Sequence, residues 1–125
     1  MDFQTPGGEY SFHIPDEWWQ FAEMGGFNLN GGRFFAYESK HYRHAEGIPI
    51  GDIEPLQRSP GLDLFKKYKL IPILFAIRWP EGTLPPVTVK RSLNPHYRYQ
   101  LIDGTHRYYA SVAVGYPCLP IVFSE

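Results

Sequence analysis

The most informative stretch in the chain is a strand-like apolar run that breaks at a glycine and resumes as a helix. Tyr99-Gln100-Leu101-Ile102 carries aromatic and aliphatic residues suited to a half-buried strand. The pattern breaks at Asp103-Gly104 and resumes as Arg107-Tyr108-Tyr109-Ala110-Ser111-Val112-Ala113-Val114, closed by Gly115. This predicts a strand, a tight glycine turn and a helix of about two to three turns, with Gly115 as its left-handed cap. Upstream, Glu9 to Ile14 alternates polar and apolar residues and predicts a second half-buried strand. Pro15-Asp16-Glu17 then opens a helix, with Asp16 as N-cap, and Gly25-Gly26 ends it. Its adjacent Trp18 and Trp19 cannot share one narrow face. Core packing is the favoured reading for both, with an exposed ring lying over a base as the other.

Phe27 to Tyr37 predicts a hairpin around Asn30-Gly31, and residues 1–8 read as a frayed arm. Ile48-Pro49-Ile50-Gly51-Asp52-Ile53-Glu54-Pro55 predicts a short strand closed by a turn. Ser59-Pro60 supplies an N-cap and first-turn proline for a helix through Lys69 that buries Leu62, Phe65 and Tyr68. Lys66, Lys67 and Lys69 then fall at its C-terminal end, where cations suit the helix dipole. Ile71 to Trp79 predicts an apolar strand, Glu81 to Pro86 a loop and Val87 to Arg91 a strand. Leu119 to Phe123, framed by Pro117 and Pro120, predicts an edge or terminal strand. The expected class is α+β: a mixed sheet with short helices in a single domain. Residues 1–47 form an aromatic-rich extension (strand, helix, hairpin) packed on the core, and residues 48–125 form that core.

Composition narrows this picture in three ways. Aromatic residues make up 17% of the 125-residue chain, so rings should fill much of the interior. Net charge is −1, so nucleic-acid binding would need a local patch, for which Lys40-His41-Tyr42-Arg43-His44 with Lys66 and Lys67 is the candidate, a solvated connector being the commoner reading of such a run. A single cysteine, Cys118, permits no intramolecular disulfide and no cysteine-based metal framework. The start at Met1 lacks a basic and apolar leader, and the run from Leu70 to Ile77 is too short to span a bilayer. The expectation is a cytoplasmic protein that does not enter a membrane.

The turn at residues 103–107 carries the candidate chemistry. Unpaired amides and the positive end of a helix dipole meet there, which suits an anion such as phosphate. Main-chain N–H groups of Gly104, Thr105 and His106 would cradle it, glycine allowing close approach. Arg107 can fork onto two phosphate oxygens, and His106 can donate to a terminal or bridging one. Asp103 reads equally as a helix N-cap or as a Mg²⁺ ligand. Arg58 is a possible second phosphate clamp.

Residues 48–123 resemble the ParB/sulfiredoxin superfamily of nucleotide-binding domains. Ile48 to Pro55 is similar to its first strand, and Leu84-Pro85-Pro86-Val87-Thr88-Val89 to its proline-led strand. Leu101-Ile102-Asp103-Gly104-Thr105-His106-Arg107-Tyr108-Tyr109-Ala110 is similar to its phosphate-binding motif. Gly115 and Pro120-Ile121-Val122 follow at the usual distances, so the resemblance covers roughly three-fifths of the chain. Sulfiredoxins place a catalytic cysteine where this chain has Thr105, and Cys118 does not replace it, so sulfiredoxin activity is not expected. Partition proteins continue into a helix-turn-helix, whereas this sequence ends at Glu125. Gly104-x-x-Arg107-x-x-Ala110 also fits their CTP-binding pattern, leaving the base open between ATP and CTP. Retention of Asp103 and His106 without the cysteine resembles the free-serine kinase branch more closely. That branch implies Mg²⁺-dependent phosphoryl transfer to a small-molecule acceptor, or nucleotide hydrolysis, with Asp103, His106 and Glu54 as catalytic residues and Glu54 the general base. Two alternatives stand beside it: a ParB-like nucleic-acid-binding or nuclease module, and an inactive protein-interaction domain.

Overall fold

The strand that leads into the glycine turn lies inside a four-stranded sheet, and the other elements follow from what it must bury. The computed structural model describes residues 1–27, 36–37, 48–56, 64–79 and 84–124. In chain order the strands are β1 (Asp2–Gln4), β2 (Ser11–His13), β3 (Ile48–Pro49), β4 (Ile53–Glu54), β5 (Val87–Arg91), β6 (Tyr99–Asp103), β7 (Cys118–Leu119) and β8 (Ile121–Phe123). The α-helices are α1 (Asp16–Phe21), α2 (Lys67–Arg78) and α3 (Thr105–Val114). The main sheet has the order β4-β6-β5-β8, with β4/β6 and β5/β8 parallel and β5/β6 antiparallel. It is a mixed sheet in an α+β fold, as the pattern predicts. Among the described residues, no helix is long and apolar enough to cross a membrane.

One face of the sheet carries Ile53, Val87, Val89 and Leu101, all fully buried. Against it stand rings rather than aliphatic side chains alone. Tyr109 on α3 meets Phe12 at 4.8 Å and Phe65 at 5.4 Å between ring centroids, and Tyr108 lies 5.0 Å from Tyr109. Tyr37 donates to or accepts from the Ser111 hydroxyl at 2.8 Å, so two buried hydroxyls satisfy each other. Helix α3 ends at Gly115, which has φ +91° and donates to the carbonyls of Ser111 and Val112, as its sequence position predicts.

Several elements differ from the sequence expectation. Residues 2–4 are not a frayed arm but strand β1, paired antiparallel with β2 through Phe3 opposite Phe12. Phe3 stacks on Phe12 and tilts onto Trp19, an apolar anchorage that local sequence does not reveal. Asp16 is not the N-cap of α1; Pro15 holds that position, and the Asp16 carboxylate accepts from the Met1 ammonium at 2.6 Å. Trp18 and Trp19 are both half-buried against the core. The run from Ile48 to Glu54 is two strands in two sheets, separated by a 3₁₀ turn at Ile50–Asp52. Pro120 likewise divides the last segment, and β8 lies at the edge of the main sheet.

The largest correction concerns residues 67–79. The predicted strand from Ile71 to Trp79 is part of helix α2, which begins near where the preceding helix was expected to end. Leu70, Ile71, Leu74 and Ile77 are its buried residues, a spacing of one helical face. Pro72 suggests an interruption, since it lacks an amide for the helix ladder. It sits on the exposed face in the helix's second turn, where the apolar stripe is untouched. Tyr68, expected in the core, is 69% exposed. The predicted hairpin turn at Asn30-Gly31, the helix start at Ser59-Pro60 and Leu62 lie outside the described residues.

Candidate functional site

The site begins with a backbone conformation. Gly104 has φ +103° and ψ +30°, the left-handed region that L side chains adopt at a steric cost. The space is also closed: a Cβ there would lie 2.9 Å from Val87 Cγ1 and 3.0 Å from Arg107 Nη2. Gly104 therefore lets β6 turn directly into α3 while the Arg107 side chain folds back over the turn. Its carbonyl accepts the first helical hydrogen bond, from Tyr108 N–H at 2.8 Å. Among the described residues, no side chain caps this N-terminus. The amides of the first turn thus have no carbonyl within the helix to bond.

Arg107 is held without being used up. Its side chain is only 15% exposed; Nη1 donates to the Pro85 carbonyl at 3.1 Å and Nη2 lies 3.7 Å from Asp103 Oδ2. Asp103 itself is 78% exposed at the end of β6. It is the strand's last residue rather than the helix N-cap, which is Gly104. A bulge between Thr88 and Val89 shifts the β5 register so that Thr88 faces Asp103.

A second helix start meets the first. Lys66, at the N-cap of α2, donates its main-chain N–H to His106 Nε2 at 3.0 Å. The His106 ring is buried and tilted against Phe65. With Nε2 accepting, the neutral imidazole carries its proton on Nδ1. The two helices open a cleft of ≈ 370 Å³ lined by Asp103, Gly104, Thr105, His106 and Arg107 on one side. Tyr68, Lys69, Pro72 and Ile73, from the first two turns of α2, line the other.

The structure therefore brings together Asp103, Gly104, Thr105, His106 and Arg107, all adjacent in sequence. It does not bring Glu54 to them. The Glu54 carboxylate accepts from Ser92 Oγ at 3.2 Å and from Asn94 Nδ2 at 3.0 Å, holding the β5–β6 turn at the other end of the sheet. Arg58 and the Lys40 to His44 cluster lie outside the described residues.

Lys69, Tyr68, Pro72 and Ile73 are site residues that the local sequence does not signal. The helix-dipole explanation for Lys66, Lys67 and Lys69 fails, because these residues stand at the N-terminus of α2, where cations are disfavoured. Their true position was encoded in the Leu70, Ile71, Leu74, Ile77 spacing. Lys67 is partly accounted for, its ammonium lying 6.0 Å from the Phe21 ring.

Among the described residues, no group of three or more His, Cys, Asp or Glu side chains could hold a metal ion. The larger hollow beside β1 and β2, ≈ 670 Å³, is lined among the described residues by Asp2, Phe3, Gln4, Ser11, Phe12 and His13, with Asp2 and His13 paired at 2.7 Å. Comparison with protein-family models and with curated proteins finds no match to the chain.

Proposed function

We propose that the cleft between α2 and α3 binds the phosphates of a nucleotide, ATP or CTP, and that the domain transfers or hydrolyses the terminal phosphoryl group. One observation carries this reading: two helix N-termini converge on one cleft, and the side chains beside them are cationic. The dipoles of both helices and the first-turn amides of α3 favour negative charge there. Lys66, Lys67 and Lys69 at the start of α2 oppose that helix's own dipole, a cost that a bound polyanion would offset. Arg107 is close enough to exchange its Pro85 and Asp103 partners for phosphate oxygens. The resemblance of residues 48–123 to the ParB/sulfiredoxin superfamily points the same way.

Each residue has a distinct role in this proposal. Gly104, Thr105 and His106 give main-chain amides, and the Thr105 hydroxyl can add a further donor. The His106 ring keeps α2 against α3 through Lys66. Tyr68, Pro72 and Ile73 provide an apolar wall of the kind a base needs beside its phosphates. Asp103 is the one carboxylate among the described lining residues. Mg²⁺ on a nucleotide is typically held by one or two carboxylates, the phosphates and water, so exposed Asp103 fits that role. Such an ion would supply charge neutralisation on the phosphates. Glu54 lies too far along the sheet to act as the base here, and the proposal assigns it none of the chemistry.

Isothermal titration with ATP, CTP and inorganic tripolyphosphate, with and without Mg²⁺, tests the reading. Saturable binding by the parent protein is expected. Arg107→Ala should weaken it about 10- to 100-fold, the effect of losing hydrogen bonds to a charged group. Absence of saturable binding by the parent at millimolar nucleotide rules the proposal out.

A further inference from the structure

The opposite end of β6 carries a second constellation. The buried face of the sheet continues past Val89 and Leu101 as Arg91, Tyr99 and Phe123, since Arg91 pairs with Tyr99 and Val89 with Phe123 across adjacent strands. Burial stops there: Phe123 is 60% exposed and Tyr99 is half-buried. The two rings meet edge to face at 5.6 Å. The Arg98 guanidinium stands 5.3 Å from the Tyr99 ring centre. Its ion pair with Asp52, at 3.6 Å, orients Arg98 while leaving its side chain 66% exposed. Arg91, Arg98, Tyr99 and Phe123 enclose ≈ 330 Å³ of space open to solvent.

Two guanidiniums beside two rings match one ligand chemistry closely: a planar base next to a phosphate. We propose that this cavity binds single-stranded nucleic acid, one base stacking on Phe123 and Tyr99 while Arg91 and Arg98 meet flanking phosphates. A single strand is favoured over a duplex because only unpaired bases offer a face for stacking. It is favoured over an acidic peptide because a peptide carboxylate would use the arginines and leave the rings in water. With a net charge of −1 the protein has no general attraction for polyanions, so the binding is local to this patch. The site is separate from the Gly104 cleft, since β6 begins at Tyr99 and ends at Asp103.

Fluorescence anisotropy with a labelled oligothymidylate of about eight nucleotides, within the usual single-strand site size, tests this on the intact chain. Binding that weakens with salt is expected. Phe123→Ala should weaken it roughly 5- to 100-fold, the range for losing one stacked base. Phe123→Leu, which keeps bulk but removes the ring, should behave alike. Arg91→Ala should lower the salt slope by about one, whereas Arg107→Ala should retain the parent affinity and so separate this site from the nucleotide cleft. No binding at low salt overturns the proposal, as does equal affinity for duplex or for polyglutamate. Affinity unchanged in Phe123→Ala and Arg91→Ala also overturns it.

Discussion

His106 Nε2 accepts the Lys66 main-chain N–H at 3.0 Å, and this bond ties the start of α2 to the start of α3. It joins positions 40 residues apart on the two helices that line the cleft. His106→Ala would leave a donor at a helix start without this acceptor, a loss of about 1–3 kcal/mol from that group. A lower denaturant midpoint and weaker nucleotide binding are expected together. His106→Gln, whose amide oxygen can reach the position of Nε2, should recover part of both. If His106→Ala melts with the parent, the bond does not hold the helices.

Gly104 joins backbone strain to close packing at one position. In Gly104→Ala, the left-handed conformation costs about 1–2 kcal/mol for an L residue. The added methyl also falls 2.9 Å from Val87 Cγ1, which requires one of them to move. Overpacking of this kind adds about 1–3 kcal/mol. Chemical denaturation should show a loss of this combined order, with the folded fraction also binding nucleotide less well because Arg107 is displaced. A stability change below about 0.5 kcal/mol, the level of an ordinary surface substitution, contradicts this account.

What the sequence made legible and what it hid divide along local and tertiary causes. The unit from Tyr99 to Gly115 was readable because each of its signals is local: strand-forming side chains, a glycine where φ must be positive, a glycine cap. Val87 to Arg91 was readable for the same reason. Helix α2 was hidden because Pro72 and a dense apolar run mimic a buried strand, and only the spacing of its buried residues distinguishes the two. With it went Tyr68 and Lys69, which reach the cleft only once that segment is helical. Strand β1 was hidden because its stability comes from Phe12 and Trp19, distant partners that no short window contains. Only resemblance points Glu54 to the site, while its structural partners Ser92 and Asn94 lie 38 and 40 residues away.

The exposed ring of Tyr68 beside the cationic cleft predicts a split between nucleotide and plain polyphosphate. Tyr68→Ala removes a ring that buries little of itself in the fold, so stability should change by less than about 0.5 kcal/mol. If the ring stacks on the base, its loss costs about 1–3 kcal/mol in nucleotide affinity. Tripolyphosphate, which has no base, should bind the variant and the parent alike. Calorimetric titration of both ligands measures the difference. Equal weakening of the two would place Tyr68 in phosphate binding instead.

The ring-filled core predicts an alkaline limit to stability. Burial pushes the phenols of Tyr109 and Tyr116 up from the ordinary 10.0 to about 12, and moves Tyr108 in the same direction. Tyr109 donates its hydroxyl hydrogen to the Leu56 carbonyl at 3.1 Å, a bond that a phenolate cannot make. The sign follows from the protons held by each state. Below pH 10 both folded and unfolded chains keep their phenolic protons, and this contribution is present in full. Between pH 10 and about 12 the unfolded chain has released protons that the folded one still holds, so stability falls as pH rises. Denaturant midpoints taken from neutral pH to pH 12 should therefore drop steeply above pH 10. In Tyr116→Phe one such proton is gone, and the descent should be shallower. A midpoint that stays level through pH 11.5 contradicts this account.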